Sequence, residues 1–262
     1  MLKKTIKMLT KALLSLLFTV CSILHFSNAC AAPPPAPSPL PELRVGISAD
    51  FPPFSFIEKE KYVGFDIDII TVVAKRIQYK ITFIDMPFKT LIPAIQTGKI
   101  DVIASGLTET RERAKQVLFA PAHFMGDPLV IVTKKDNAVE NGLSDLVGKT
   151  VIVNDGYTAA QYMENHPGSH LLYLKSPSDA IMALESNRGF AFITAKSTMQ
   201  NFFEKHPHAG QYKLFSLEGT GDSTGLAVIK ENPELHAKIK QAILDMLKDG
   251  TVEQLKKKWK LS

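Results

Sequence analysis

From Leu43 to Ile193 the apolar positions follow two alternating rhythms. Short runs such as Leu43–Ile47, Lys80–Ile84 and Ile100–Ala104 predict strands, the last apolar enough for burial on both faces. Between them, apolar residues recur at helical spacing. Ile67, Ile70, Val73 and Ala74 share one face of a helix running to about Ile77, with Asp66 as its expected cap. Thr90–Gln96 predicts a short helix. Near Leu129 the rhythm restarts, with strands at Leu129–Thr133, Thr150–Val153, Leu171–Leu174 and Phe190–Ile193 and helices at Thr158–Asn165 and Ser178–Ser186. A strand around Gly225–Ile229 and two helices, Pro233–Leu247 and Thr251–Lys258, follow. This alternation predicts an α/β fold with mostly parallel sheet and helices on both faces. The restart predicts two lobes, and about 220 residues suffice for two cores.

The N-terminus has a different pattern. Lys3, Lys4, Lys7 and Lys11 precede an apolar run from Ala12 to Phe26, the n-region and h-region of a secretory signal over residues 1–29. That run is short for a membrane span. Ser27-Asn28-Ala29 is a small-residue cleavage site, and Cys30 follows it directly. Cys30 is then either a lipid-anchored N-terminus or simply the first residue after cleavage, and both readings stay open. Residues 30–41 are proline-rich. Proline at that density favours polyproline II, which extends about 3.1 Å per residue and suits a semi-rigid tether.

Charge narrows the partners. The chain carries 31 Lys+Arg against 26 Asp+Glu. Removing the four leader lysines leaves 27 against 26, so the exported chain is near neutral and nothing argues for nucleic acid. Cys21 falls in the leader, so no internal disulfide is expected. The seven histidines show no metal-ligand spacing, and His166, His206 and His208 sit near prolines as loop residues. No metal or cofactor is expected.

Candidate chemistry concentrates in Lys99–Arg113. After the strand come Ser105, Gly106 and Thr108, then a helix start near Thr108–Thr110 with Arg113 in its first turns. Backbone N–H groups near a helix start favour negative charge. Gly106 permits close approach to the backbone. Arg113 offers a fork that matches a carboxylate at two points. The same residues also describe an ordinary strand–turn–helix with a surface arginine.

This stretch, read as Ser-Gly-Leu-Thr and then Arg-Glu-Arg-Ala, resembles the periplasmic solute-binding proteins for polar and basic amino acids. Two more blocks agree in order and spacing: Leu43–Phe54 (Leu-Arg-Val-Gly-Ile-Ser-Ala-Asp-Phe-Pro-Pro-Phe) and Tyr62–Ile70 (Tyr-Val-Gly-Phe-Asp-Ile-Asp-Ile-Ile). The resemblance covers residues 42 to 260 and is closest to arginine-binding members. It implies a two-lobed, type II periplasmic-binding-protein-like fold with the ligand in the cleft between lobes. Lobe 1 would take residues 42–124 and 220–262, and lobe 2 residues 129–215. Hinge crossings would lie near 124–128 and 215–224. It also implies a monomer that captures a cationic amino acid, L-arginine first, and delivers it to an ABC transporter permease outside the cytoplasm.

The resemblance assigns roles. Arg113 would bind the ligand carboxylate, helped by the N–H groups of Gly106 and Thr108 beside Ser105. Thr158, in the turn Asp155-Gly156-Tyr157-Thr158, would cap a helix and close on the same carboxylate. Phe51 and Phe88 would sandwich a guanidinium. Asp50 would take its tip, although related binders carry that acid where this chain has Ser48. The family's ammonium-binding aspartate aligns with Ala195, which leaves Gln161, Asp155 or Asp222 to serve. The alternative is a cyclohexadienyl-dehydratase-like enzyme on the same architecture, using acids such as Glu109 and Asp155. No Ser–His or metal set supports an enzyme, and none is expected.

Overall fold

The computed structural model describes residues 39–137, 139–206 and 209–261. The leader, Cys30, His208 and the proline-rich segment as far as residue 38 lie outside them. Among the described residues no helix is long and apolar enough to cross a membrane.

Two five-stranded sheets organise the chain. In the first, β1 (Glu42–Ile47) runs parallel to β5 (Lys80–Asp85) on one side and β6 (Val102–Ile103) on the other. Two antiparallel strands, β15 (Ala227–Val228) and β7 (Leu118–Phe119), complete it. This sheet therefore draws on both the beginning and the end of the described chain. The second sheet uses the middle: β9 (Leu129–Lys134), β10 (Thr150–Asn154), β11 (His170–Leu174), β12 (Ala191–Ala195) and β13 (Tyr212–Ser216). There β10 is parallel to β11 and β12, while β9 is antiparallel to β12 and β13. The sheets are thus mixed rather than mostly parallel. Strands joined by helical crossovers are parallel, and strands that carry the chain from one sheet to the other return antiparallel.

Burial follows the apolar pattern. Leu43, Val45 and Ile47 are fully buried against α1 (Phe65–Ile77), α2 (Leu91–Gln96) and α7 (Pro233–Lys248). In the second sheet, successive residues of β9 face opposite ways into two cores. Ile131 packs towards α4 (Thr158–Glu164), and Val130 and Val132 towards α5 (Pro177–Glu185). This two-sided burial is why the run reads as continuously apolar. The last helix is α8 (Thr251–Lys258).

Several elements differ from the sequence pattern. Lys196–Lys205 forms a helix, α6, that the pattern did not predict, although Met199, Phe202 and Phe203 keep helical spacing. Short strands β2 (Asp50–Phe51), β3 (Ser55–Glu58) and β4 (Lys61–Val63) make a small separate sheet. β13 takes Phe215 into the second sheet, where an extended crossing was expected. The crossings themselves pair as an antiparallel ribbon of β8 (Phe124–Asp127) and β14 (Asp222–Thr224).

Asp66 does not cap α1. Gly64 occupies the cap position at φ 139°, and no side chain bonds there. Asp66 is the second residue of the helix, two positions beyond the cap, and is wholly buried. The Gly106 N–H donates to its Oδ2 at 2.5 Å, and His123 Nε2 lies 2.8 Å from its Oδ1. This position in the first helical turn favours a negative charge. Removing the carboxylate would leave the part-buried Gly106 N–H and the buried His123 Nε2 without their partner, and each unsatisfied buried polar group costs about 1–3 kcal/mol. Asp66→Ala is therefore expected to lower the urea-unfolding free energy by about 2 kcal/mol or more. A loss within experimental error would show that the pair carries no such load.

Candidate functional site

The site begins with a turn that only glycine fits. Gly106 has φ +60°, and a Cβ there would collide with the Phe51 ring. Phe51 stacks on Phe54 at 5.2 Å between centroids, and both are buried. Just beyond, Thr108 bridges to Thr224. The hydrogen bonds of that bridge are made by Glu109 and Gly225, so the Thr108 amide stands outside the ladder. α3 (Arg111–Ala114) follows as a single turn, capped by Thr110, whose hydroxyl accepts from the Arg113 N–H at 3.2 Å.

Arg113 is buried, not a surface arginine. Its Nη1 donates to Thr108 O at 2.8 Å and its Nη2 to Gly156 O at 2.9 Å. The fork therefore joins the first sheet's loops to the second's. Gly156 has φ +83°, and a Cβ there would meet Lys89 Cβ at 2.8 Å. Beside it, Lys89 Nζ and Asp155 Oδ2 form an ion pair at 2.5 Å. Tyr157 packs on Phe88 at 4.3 Å and edge-on to Phe51 at 5.1 Å. These contacts form the seam between the two lobes.

Six of the nine expected binding residues line one cleft at this seam: Phe51, Phe88, Gly106, Thr108, Arg113 and Thr158. Three do not. Ser105 is fully buried, with its Oγ accepting from the Ser48 N–H at 3.0 Å and lying 2.9 Å from Ser55 Oγ. Asp50 lines an adjoining groove with Ser48, Asp85 and Lys175. Gln161 faces a different groove, with Thr110 and Glu112.

Details of the expected roles also change. The Gly106 N–H is committed to Asp66, so it is not aimed at a ligand. Thr158 is the first helical residue of α4, and the cap position belongs to Tyr157. Phe51 and Phe88 meet edge to face at 6.4 Å and 65°, not as parallel plates. The nearest aromatic partner of Phe88 is Tyr157, and the Arg113 guanidinium carbon lies 5.6 Å from the Phe88 centroid. Of the substitutes for the acid missing at Ala195, Asp155 is tied to Lys89, and the Asp222 side chain lies outside the described residues.

The structure adds Phe54, Asp127, Asn154 and Tyr157 to the cleft lining. Tyr157 was legible as an aromatic in a strand-to-helix turn. Asp127, between Gly126 and Pro128, carried no pattern. Burial raises its carboxyl pKa, against hydrogen bonds from Ser197 and the charge of Lys196. Burial likewise raises that of Asp50, which the Ser48 hydroxyl opposes and the Asp85 charge reinforces. The Tyr157 hydroxyl is pushed well above its usual value by burial, aided by the charge of Asp50.

Gly156→Ala would force a side chain against Lys89 at a left-handed backbone. That conformation alone costs a non-glycine residue about 1–2 kcal/mol. The variant is expected to separate the lobes, read as a larger radius of gyration by small-angle scattering and a lower melting temperature. An unchanged radius would show that Lys89 yields instead.

A model of the bacterial extracellular solute-binding proteins, family 3, matches residues 43–262. The chain is 31% identical over 221 residues to the arginine-binding extracellular protein ArtP of Bacillus subtilis (strain 168), covering 83% of this chain and 86% of that protein. It is similar in structure to an ancestral arginine-binding protein bound to arginine, with TM-score 0.78 and 39% identity over 83% of this chain and 97% of that one. It is also similar to AncCDT-1, an ancestral amino-acid-binding protein described as a precursor of cyclohexadienyl dehydratase. There the TM-score is 0.75 and the identity 33%, over 83% and 95% of the two chains.

Proposed function

We propose, from the premise that the chain belongs to the bacterial extracellular solute-binding proteins, family 3, that it captures a free amino acid between its lobes. L-arginine is the favoured ligand, captured outside the cytoplasm and delivered to an ABC transporter permease. One observation carries this reading: the Arg113 fork at the seam, held by one carbonyl from each side. A carboxylate meets the planar fork at two points and brings a full opposite charge, which a single neutral carbonyl does not. A ligand carboxylate would displace a carbonyl there at a net gain, which couples capture to the relation between the lobes. The β8–β14 ribbon is the natural hinge for that motion.

The side-chain preference rests on different groups. Phe51, Phe88 and Tyr157 line the cleft with aromatic rings, and a ring face open to a ligand attracts a guanidinium. Asp50 and Asp85 place negative charge in the adjoining groove, where the tip of a long cationic side chain would end. Two relatives whose names specify arginine support the choice. The neighbouring dehydratase precursor keeps the enzyme alternative in view. Of the acids named for that alternative, Asp155 is tied to Lys89 and Glu109 is not part of the lining, so among the described residues Asp127 is the one carboxylate lining the cleft.

Calorimetry against L-arginine, lysine, ornithine, histidine and citrulline tests this. Arginine should bind tightest. Citrulline, with the same shape and no charge, should bind roughly thirtyfold more weakly, since cation–π contact with a desolvated cation is worth about 2 kcal/mol. Equal affinities would overturn the cation pocket. Arg113→Ala should reduce affinity for every amino acid roughly tens- to thousands-fold. Arg113→Lys should fail as well, because a point charge does not reproduce the fork. Wild-type affinity in Arg113→Ala would remove the carboxylate assignment.

A further inference from the structure

We propose that Asp127 binds the ligand's α-ammonium group. This rests on the amino-acid reading above. An amino acid whose carboxylate meets Arg113 brings a cation into a closing cleft, and a buried ammonium without a counter-charge is strongly disfavoured. Ala195 lines the cleft with a methyl group only. Asp127 lines it too, and among the described residues no other carboxylate does.

The backbone places Asp127 beside the end of β12. Leu129, two residues further on, sits opposite Ala195 in the antiparallel β9–β12 pair. From there the Asp127 side chain reaches the start of α6. The Ser197 N–H donates to its Oδ1 at 2.9 Å, and the Ser197 hydroxyl to its Oδ2 at 2.6 Å. A carboxylate has about four acceptor positions, so these bonds orient it and leave capacity for a cation. An aspartate at position 195 would converge on the same corner from the neighbouring strand. A second acceptor is at hand. Asn154 is buried in the cleft lining, its Nδ2 donating to Leu174 O at 3.3 Å, while its Oδ1 has no partner among the described residues.

Asp127 also accepts from Ser197 in the first turn of α6, so a test must separate its charge from that support. Asp127→Asn does so, because the amide oxygen still accepts from the Ser197 N–H. Calorimetry first screens the standard amino acids against the wild type. It then compares the tightest binder with its deamino acid, which for L-arginine is 5-guanidinopentanoate. Asp127→Asn should lose roughly tens- to hundredfold in affinity for the amino acid. Its affinity for the deamino acid, and its unfolding midpoint by circular dichroism, should be nearly unchanged. Adding Ala195→Asp to Asp127→Asn should restore much of the amino-acid affinity. Unchanged amino-acid affinity in Asp127→Asn overturns the proposal and leaves the amino-acid reading standing. Equal losses for both ligands do the same, since they mark a structural role only. If the wild type binds no amino acid, both fall together.

Discussion

Asp66 holds together three parts of the chain that are remote in sequence. Its carboxylate sits in the first turn of α1, receives the Gly106 N–H on one oxygen and faces the His123 ring on the other. A fully buried acid needs such partners, because an isolated charge in the interior would be neutralised or expelled. The consequence reaches the cleft. Gly106, held at φ +60°, supports Phe51, and Phe51 stacks on Phe54. His123 packs against Phe65, and Phe124 beside it opens the β8 crossing. The aromatic floor of the cleft and the crossing beside it are thus positioned by one side chain that touches neither.

The seam is built differently. Arg113 spans it with bonds to two neutral carbonyls, one on each side. Gly156 lets the second lobe's turn lie directly on Lys89, and Tyr157 fills the space beside Phe88. A charged fork meets neutral acceptors, aromatic rings meet aromatic rings, and the outer Lys89–Asp155 pair is partly solvated.

Much of the cleft lining could be read from the chain because it lies in turns. Arg113, Gly106, Thr108 and Thr158 follow strand ends, where small and hydroxyl residues stand out against apolar runs. Ser105 belongs to the same turn, yet its hydroxyl faces the interior and joins Ser48 and Ser55. Spacing along one turn does not say which way each side chain points. Gln161 shows the same limit on a helix: it lies one turn on from Thr158 but faces another groove. Asp127 carries no such signal, because a lone aspartate between glycine and proline looks like any loop acid.

By itself the sequence determined the α/β class, the order of most helices and strands, and the restart that divides the chain into two sheets. Those follow from local period and from how much apolar surface each run must bury. Tertiary structure alone decided which strands return antiparallel, that Asp66 serves the Gly106 turn rather than a helix cap, and that Tyr157 rather than Phe51 is the close partner of Phe88. It also brought Asp127 beside Ala195. Each of these depends on residues tens of positions apart arriving at one point. No local periodicity encodes such a meeting, because it is set by strand register and by how the two sheets pack.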